Sequence, residues 1–233
     1  SAWTYSHELG RLHLNEVFPD DVTTVYYDSI NSHNIEEAID DAIANGCNVI
    51  FTTSPTFSQA SLKAAIANPK ITILNCSLHD PHTSMRTYYA RMHEAKFIMG
   101  AVAGSMAAHD KIVYIADYPI YGTIANINSF AQGVKMTNPR AKIHLLWSCL
   151  KDVDVEEQIK QLQPDCVSDK DLSVPEAGTR YYGLYMSYPD SIWNLAIPIY
   201  NWGKFYEQLI EAILNGTWKA DDSKNVKAIN YWW

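Results

Sequence analysis

One short segment of this sequence has the composition of a metal site. His79, Asp80 and His82 supply two imidazoles and a carboxylate within four residues, next to a segment that is predicted to be a strand. These are common zinc ligands, but no third His lies close by in the sequence, and we expect the nearby Cys76 to be a core residue. A polar loop around Pro81 explains the same residues, so we expect no metal site and no cofactor.

A second group of polar residues follows an apolar segment. Asp169, Lys170 and Asp171 come directly after residues 164–168, which have the composition of a buried strand. In α/β proteins, ligand groups lie at the carboxyl ends of such strands. Asp169 is therefore a candidate ligand-binding residue, with a solvated turn as the alternative.

Aromatic residues form the third candidate group. The chain has 7 Trp and 15 Tyr. Many of them lie at predicted helix starts or just after predicted strands, where a ring can stack on a planar ligand as well as fill a core. Together with Phe57, these residues are Trp3, Tyr5, Tyr88, Tyr89, Tyr121, Trp147, Trp193, Tyr200 and Trp202.

Charge and motif content argue against several function classes. The net charge is −8 with no Lys/Arg cluster, so we expect no direct binding of nucleic acid. No apolar run approaches the length of a membrane span. The sequence has no GxGxxG, GxxxxGK[ST], GxSxG or HExxH motif. We therefore favour a non-catalytic protein with a small-molecule partner.

Short apolar segments alternate with amphipathic ones along the chain. This alternation predicts an α/β fold with parallel sheets covered by helices on both faces. Strands are expected at 22–27, 48–53, 71–75, 111–116, 143–147, 164–168 and 181–185. Helices are expected at 4–14, 34–46, 56–67, 86–108, 123–137, 153–163 and 199–215.

The 86–108 segment is predicted to be one long helix with a wide apolar face. Its Met residues recur every seven positions, and Gly100 and Gly104 leave room for close approach of another backbone. We expect this face to pack on the first sheet. A break after it divides the chain into an N-terminal lobe at 1–108, a C-terminal lobe at 109–198 and a returning helix and strand at 199–233. Four single cysteines, Cys47, Cys76, Cys149 and Cys166, are expected to be largely buried free thiols.

Several segments together resemble the basic membrane protein family of solute-binding proteins, also called Med or PnrA-like. The segment 88–104 is similar to the central helix of that family, and 45–54 is similar to its Gly-x-Asp-x-Ile-Phe strand. Residues 129–134, then 138–141 and the strand ending at Trp147, resemble its Ala-Phe-x-x-Gly, Asn-Pro and Trp signature. The resemblance implies two Rossmann-like lobes of the periplasmic-binding-protein type I class. It also implies that the first strand and the C-terminal end are missing here.

The same resemblance implies a set of ligand-binding residues. Residues 3–10 have the spacing of the family's first ligand loop, so Trp3 occupies the stacking position and Thr4 the position of its Asn. With these we expect stacking by Trp147, hydrogen bonds from His7 and Ser54, and wall contacts from the remaining candidates. These wall residues are Tyr89, Tyr121, Asp169 and Trp202.

The implied function is binding of a small planar ligand in a cleft between the lobes, as the solute-binding component of an ABC-type uptake system. Around Tyr182–Tyr188 the sequence lacks the Gly-x-Asp-x-Asp element that holds ribose in the family, so a nucleobase is as good a candidate as a nucleoside. The alternatives are a ligand sensor fused to regulatory domains and, third, a nucleoside-acting enzyme using His7, Asp80 and His82. A transporter component would be extracytoplasmic and membrane-anchored. A sensor would be cytoplasmic, which free cysteines favour weakly.

Overall fold

The structure, a computed structural model, describes residues 2–78, 82–119, 121–171, 178–218 and 230–232, with the backbone alone at residues 121 and 230–232. The helices are α1 Ala2–Val17, α2 Ile35–Ala44, α3 Ser58–Ala67, α4 Met92–Met106, α5 Tyr121–Thr137, α6 Val155–Leu162 and α7 Trp202–Leu214. The strands are β1 Val49–Thr52, β2 Thr72–Cys76, β3 Arg86–Tyr89, β4 Lys111–Ala116, β5 Lys142–Trp147, β6 Cys166–Ser168, β7 Leu184–Tyr188, β8 Ser191–Ala196 and β9 Asn230–Trp232.

These elements form two compact units. The β1 unit comprises Thr4–Ala90 and Asn201–Trp233, and the β4 unit comprises Ser1–Trp3 and Arg91–Tyr200. The sequence places the lobe boundaries at residues 108 and 198, whereas this division falls after Ala90 and after Tyr200. Residues 91–108 therefore group with the second sheet, because α4 packs there.

The β1 unit contains a parallel sheet of strand order β1-β2-β3-β9. Ile73 is 2% exposed, and it packs with Ile35 and Ile39 of α2 and Ala65 of α3. Apolar side chains on the helices thus cover one face of the sheet, as expected for a parallel sheet. Strands β1 and β2 are rich in Val, Ile and Leu because their side chains pack in this apolar core.

The β4 unit contains a five-stranded sheet of order β5-β4-β6-β7-β8. Strands β5, β4 and β6 are parallel, as predicted, but β7 and β8 are antiparallel neighbours. The sheet is mixed because only Pro189 and Asp190 separate β7 from β8, and so short a connection can join only antiparallel strands. A predicted strand at 181–185 is correspondingly shifted to Leu184–Tyr188.

Two close backbone approaches join α4 and α5 in the β4 unit. A Cβ atom added at Gly100 would overlap the Phe130 carbonyl oxygen, and one added at Gly133 would overlap the Phe97 carbonyl oxygen. Only glycine permits this separation. The prediction that this glycine face packs on the first sheet is wrong: it packs on α5, and Met99 and Ala103 join the core of the second sheet.

Two further sequence predictions are wrong. The long helix does not begin at residue 86, because Arg86–Tyr89 forms strand β3 between β2 and β9. Residues 22–27 form no strand, since no neighbouring strand pairs with them in the described part of the chain, and Val25 is 54% exposed. Cys76 and Cys166 are buried as predicted, whereas Cys47 and Cys149 are only partly buried.

Candidate functional site

The carboxyl ends of three adjacent strands in the β4 unit bring an aromatic side chain and two carboxylates to one sheet edge. Trp147 ends β5, Asp117 follows β4, and Asp169 follows β6. The register pairs Ala116 with Trp147, so the ends of β4 and β5 lie level. This is the edge at which open α/β sheets bind ligands.

Hydrogen bonds fix the first of these carboxylates. Ser148 Oγ donates to Asp117 Oδ1 at 2.6 Å, and the Ser148 amide donates to the carbonyl oxygen of Ala116 at 2.8 Å. Asp117 is exposed, while Trp147 is half-buried and packs in part against the core. The indole and the carboxylate can therefore both contact a molecule at this edge.

The loop after β6 is held by backbone hydrogen bonds to the start of β7. The Asp169 amide donates to the Gly183 carbonyl oxygen at 2.8 Å, and the Gly183 amide donates to the Lys170 carbonyl oxygen at 2.8 Å. Gly183 has a φ of 64°, which glycine adopts without strain. Asp169 Oδ1 accepts from the Lys170 amide at 2.6 Å. Within the described residues, its other carboxylate oxygen can accept from a further donor.

A buried ion pair lies at the same loop. Lys96 Nζ donates to Asp171 Oδ1 at 2.5 Å, and the side chains are 2% and 17% exposed. The ammonium also lies 5.2 Å from the ring centre of Tyr114. Burial raises the pKa of Asp171, and the Lys96 charge opposes that rise. Burial likewise raises the pKa of Asp169.

A second polar network lies at the carboxyl edge of the β1 unit. Thr52 and Asn75 are paired in register on β1 and β2. Asn75 Nδ2 donates to Thr52 Oγ1 at 2.8 Å and to the Ser54 carbonyl oxygen at 2.9 Å. Thr52 Oγ1 lies 2.8 Å from Ser61 Oγ of α3. Ser54 Oγ accepts from the Thr56 amide at 3.3 Å and caps the short 3₁₀ turn that precedes α3.

His7 belongs to an aromatic core of the β1 unit. Its ring stacks on Trp202 with centroids 4.5 Å apart, and Nδ1 lies 2.6 Å from the Tyr206 hydroxyl. Trp202 is 1% exposed and its Nε1 donates to Ser6 Oγ at 3.2 Å. Burial lowers the pKa of His7 to about 3, so the imidazole is neutral at physiological pH. These side chains position α1 and α7 within the unit.

The predicted site residues therefore fall into separate places. In the β4 unit, Trp147 and Asp169 meet at one sheet edge, and Trp3 packs edge-on against Tyr200 at 5.3 Å. In the β1 unit, Ser54 and Tyr89 follow or end strands, Thr4 is half-buried on α1, and His7 and Trp202 are in the core. The Tyr121 side chain lies outside the described residues.

Sequence reasoning missed Lys96, Asp117 and Asn75. Lys96 lies between Met92 and Met99 on the apolar stripe of α4, and a lysine on a buried stripe is a signal that could have identified it. Asp117 directly follows an apolar strand and carries the same signal as Asp169. Asn75 sits inside a buried strand, where an amide needs hydrogen-bond partners.

Other kinds of site find little support. His79, Asp80 and Pro81 of the predicted metal candidate lie outside the described residues, and His82 Nδ1 accepts from the Ser84 amide at 3.1 Å. The residues that the structure describes contain no group of three or more possible metal ligands. Among the same residues, no helix is long and apolar enough to cross a membrane.

A groove of about 610 Å³ lies along the first half of α4 and is bordered by Ser129 of α5. It contains none of the candidate binding residues. Its lining consists of His93, Glu94, Ala95, Phe97, Ile98 and Ser129.

Each unit is thus a parallel-rich sheet with helices on its faces and polar or aromatic groups at its carboxyl edge, which is the construction of the lobes of type I periplasmic binding proteins. The model of the ABC transporter substrate-binding protein PnrA-like family matches residues 1–159, and the chain belongs to this family. The resemblance inferred from the sequence is confirmed.

Individual relatives agree with this assignment. A purine-binding protein of Brucella abortus is 25% identical over 248 aligned residues, covering 100% of this chain and 68% of that protein. A Haloferax volcanii protein named for glucose binding in ABC transport is 23% identical, covering 94% of this chain and 59% of that protein. A solved ABC transporter solute-binding protein from Conexibacter woesei shares the fold, with a TM-score of 0.69, 14% identity and coverage of 94% of this chain and 78% of that one.

Proposed function

We propose that this chain binds a purine base or nucleoside and delivers it to an ABC transporter permease. Membership of the substrate-binding family supports a small-molecule ligand and a transporter partner. The name of the Brucella abortus relative supports a purine as the ligand.

The observation that carries the proposal is the edge formed by Trp147, Asp117 and Asp169 in the β4 unit. A purine has a π face that stacks on an indole, and N–H groups on its rim that donate to carboxylates. Aromatic stacking supplies affinity with little discrimination among bases, and the carboxylates orient the ring. The three residues together offer both kinds of contact within one sheet edge.

The β1 unit offers hydrogen-bonding groups of a different kind. Ser54, Thr52 and Asn75 present hydroxyl and amide groups at its carboxyl edge. Such groups suit the neutral polar atoms of a base or the hydroxyls of a sugar. His7 and Trp202 lie in the core of the same unit, since both are almost fully buried. That the ligand lies between the lobes, as the sequence resemblance implies, stays a prediction.

The experiment is isothermal titration of the purified chain with adenine, guanine, adenosine, guanosine and glucose. Trp147→Ala should weaken purine binding about tenfold or more, because a base stack on an aromatic ring contributes about 1–3 kcal/mol. Trp193→Ala is the matched control, because Trp193 is 59% exposed on β8 and is not among the strand-end residues.

Each outcome distinguishes one form of the proposal. Similar affinity for base and nucleoside would agree with the missing ribose element. A hundredfold preference for nucleosides would assign the sugar contact to another residue, with Asp169 and Asp171 as the first candidates. Binding of glucose without any purine would contradict the purine proposal, since the Haloferax volcanii relative is named for glucose.

The enzyme hypothesis gains no support from His7, one of its three proposed residues. His7 is 4% exposed and hydrogen-bonded to Tyr206, and burial lowers its pKa to about 3. The sensor hypothesis stays a prediction that the full-length gene tests, because a fused DNA-binding segment would support it.

A further inference from the structure

Lys96 is a lysine buried where the helix pattern calls for an apolar residue. Its side chain is 2% exposed and lies on the face of α4 that also carries Met92, Met99 and Ala103. A buried ammonium is costly unless it is paired, and the pairing here is with Asp171 at 2.5 Å. Such a pair contributes little net stability compared with apolar residues of similar size, so its retention calls for another explanation.

The pair lies at the candidate binding edge of the β4 unit. Asp171 is two residues beyond Asp169, and Asp117 is close enough to raise the pKa of both carboxyl groups. Lys170 faces Asp169 from the same loop, but its side chain is exposed. Asp169 and Asp171 therefore share the buried Lys96 ammonium, and Asp117 lies close to both carboxylates.

Ser168 is a buried polar residue beside this loop. It is paired in register with Tyr114, whose ring lies 5.2 Å from the Lys96 ammonium. Ser168 lies on the same strand face as Cys166, whose thiol contacts the Ala103 carbonyl oxygen of α4 at 3.9 Å. Its hydroxyl therefore points toward the helix that carries Lys96. Ser168 is 0% exposed, and its Oγ has no hydrogen-bond partner among the residues that the structure describes.

We propose that Lys96 is a specificity-determining residue that holds Asp171 beside Asp169, so that the loop accepts hydrogen-bond donors from a neutral or cationic ligand and rejects anionic ones. This inference rests on the proposed function as a solute-binding protein. Lys96 acts through Asp171 and is therefore a positioning residue. We assign the buried Ser168 hydroxyl a hydrogen bond to a polar group of the bound ligand.

The ligand class follows from the charge of the loop. Hydroxyl pairs of a sugar and amino groups of a base donate to carboxylates. A phosphate on the same ligand would meet a net negative charge, because Asp117, Asp169 and Asp171 outnumber Lys96 and Lys170. We expect the protein to bind adenosine about a hundredfold or more tightly than adenosine monophosphate. The same discrimination is expected for glucose over glucose 6-phosphate.

The test compares single and double removal of the ion pair. Lys96→Met leaves Asp171 buried without its partner and is expected to destabilise the fold, whereas Lys96→Met/Asp171→Leu removes both charges and is expected to restore the thermal unfolding temperature. Lys170→Met is the control, because it removes an exposed ammonium from the same loop.

Titration of the folded double variant with both neutral and phosphorylated ligands decides the proposal. We expect it to bind the neutral ligand about tenfold or more weakly, because the Asp171 acceptor is gone, so that its preference for the neutral ligand over the phosphate falls by the same factor. Lys170→Met should keep the wild-type affinity for the neutral ligand. An unchanged preference in a double variant that still binds the neutral ligand would show that the pair is structural only, and would leave the proposed function standing.

The two proposals fail separately in this experiment. The wild-type chain could bind glucose and not adenosine, while the double variant loses the preference for glucose over glucose 6-phosphate. That result would overturn the purine proposal alone. Binding of neither neutral ligand by the wild-type chain would overturn both.

Discussion

Substitution of Gly100 by alanine tests the helix packing that positions α4. A Cβ at this position would overlap the Phe130 carbonyl oxygen and lie 2.8 Å from its carbonyl carbon. Ordinary carbon contacts are about 3.5–4.0 Å long, so α4 and α5 would have to separate by about 1 Å. The obstacle is backbone, which cannot rotate away as a side chain can.

The expected cost follows from two opposing terms. Glycine to alanine inside a helix normally stabilises by about 1 kcal/mol, whereas overpacking of a closely packed contact costs about 1–3 kcal/mol and more when backbone must move. We expect Gly100→Ala to lower the free energy of unfolding by about 2 kcal/mol. For a chain of this size that corresponds to a fall in Tm of about 4–8 °C.

Thermal unfolding followed by circular dichroism measures the effect. Ser105→Ala is the control on the same helix, because Ser105 is exposed and its Oγ only donates back to the Ala101 carbonyl oxygen at 2.9 Å. It should leave the Tm unchanged within about 2 °C. A Gly100→Ala protein as stable as the wild type, or more so, would refute the close approach of the two helices.

Two further predictions concern titratable side chains. Burial lowers the folded-state pKa of His7 to about 3, below its ordinary value of 6.5, so the stability that the neutral imidazole contributes is present above pH 6.5 and is lost as the pH falls from 6.5 toward 3. Between pH 7.5 and 5.5, the free energy of unfolding measured in urea should therefore fall by about 1 kcal/mol more in the wild type than in His7→Gln. Equal falls in the two proteins would contradict the buried neutral imidazole. Burial also raises the pKa of the Cys76 thiol above its usual range and that of Cys166 to about 12. Mass spectrometry after brief native exposure to a maleimide should therefore find Cys47 and Cys149 labelled first, and equally fast labelling of Cys76 or Cys166 would show that the cores around them open readily.

The strands that could be predicted from the sequence are those with a continuous apolar pattern. β1, β2, β4 and β5 are short, rich in Val, Ile and Leu, and bounded by polar residues, and the structure places each within two residues of its predicted position. Their parallel pairing follows from the helices between them. β3 was merged with the following helix, because Arg86–Tyr89 has no apolar alternation of its own and is defined by pairing with β2 and β9.

The residues of the candidate site also differ in whether the sequence could predict them. Trp147 and Asp169 could be predicted because they follow strands that the sequence reveals. The ion pair of Lys96 with Asp171 could not, since the two residues are 75 positions apart and only the fold brings them together. His7 and Trp202 are predicted to bind the ligand, and in the structure they pack against Tyr206 and Ser6 in the core; their role in binding stays a prediction.

A crystal structure of the chain grown with adenosine tests the central claim most directly. We expect the purine ring to stack on the Trp147 indole at about 3.5–4.0 Å, with a ring or amino N–H donating to the carboxylate of Asp117 or Asp169 at about 2.7–3.1 Å. A bound purine that contacts none of these three residues would contradict the account. So would a Trp147 indole that stays packed against its own unit with the ligand bound elsewhere.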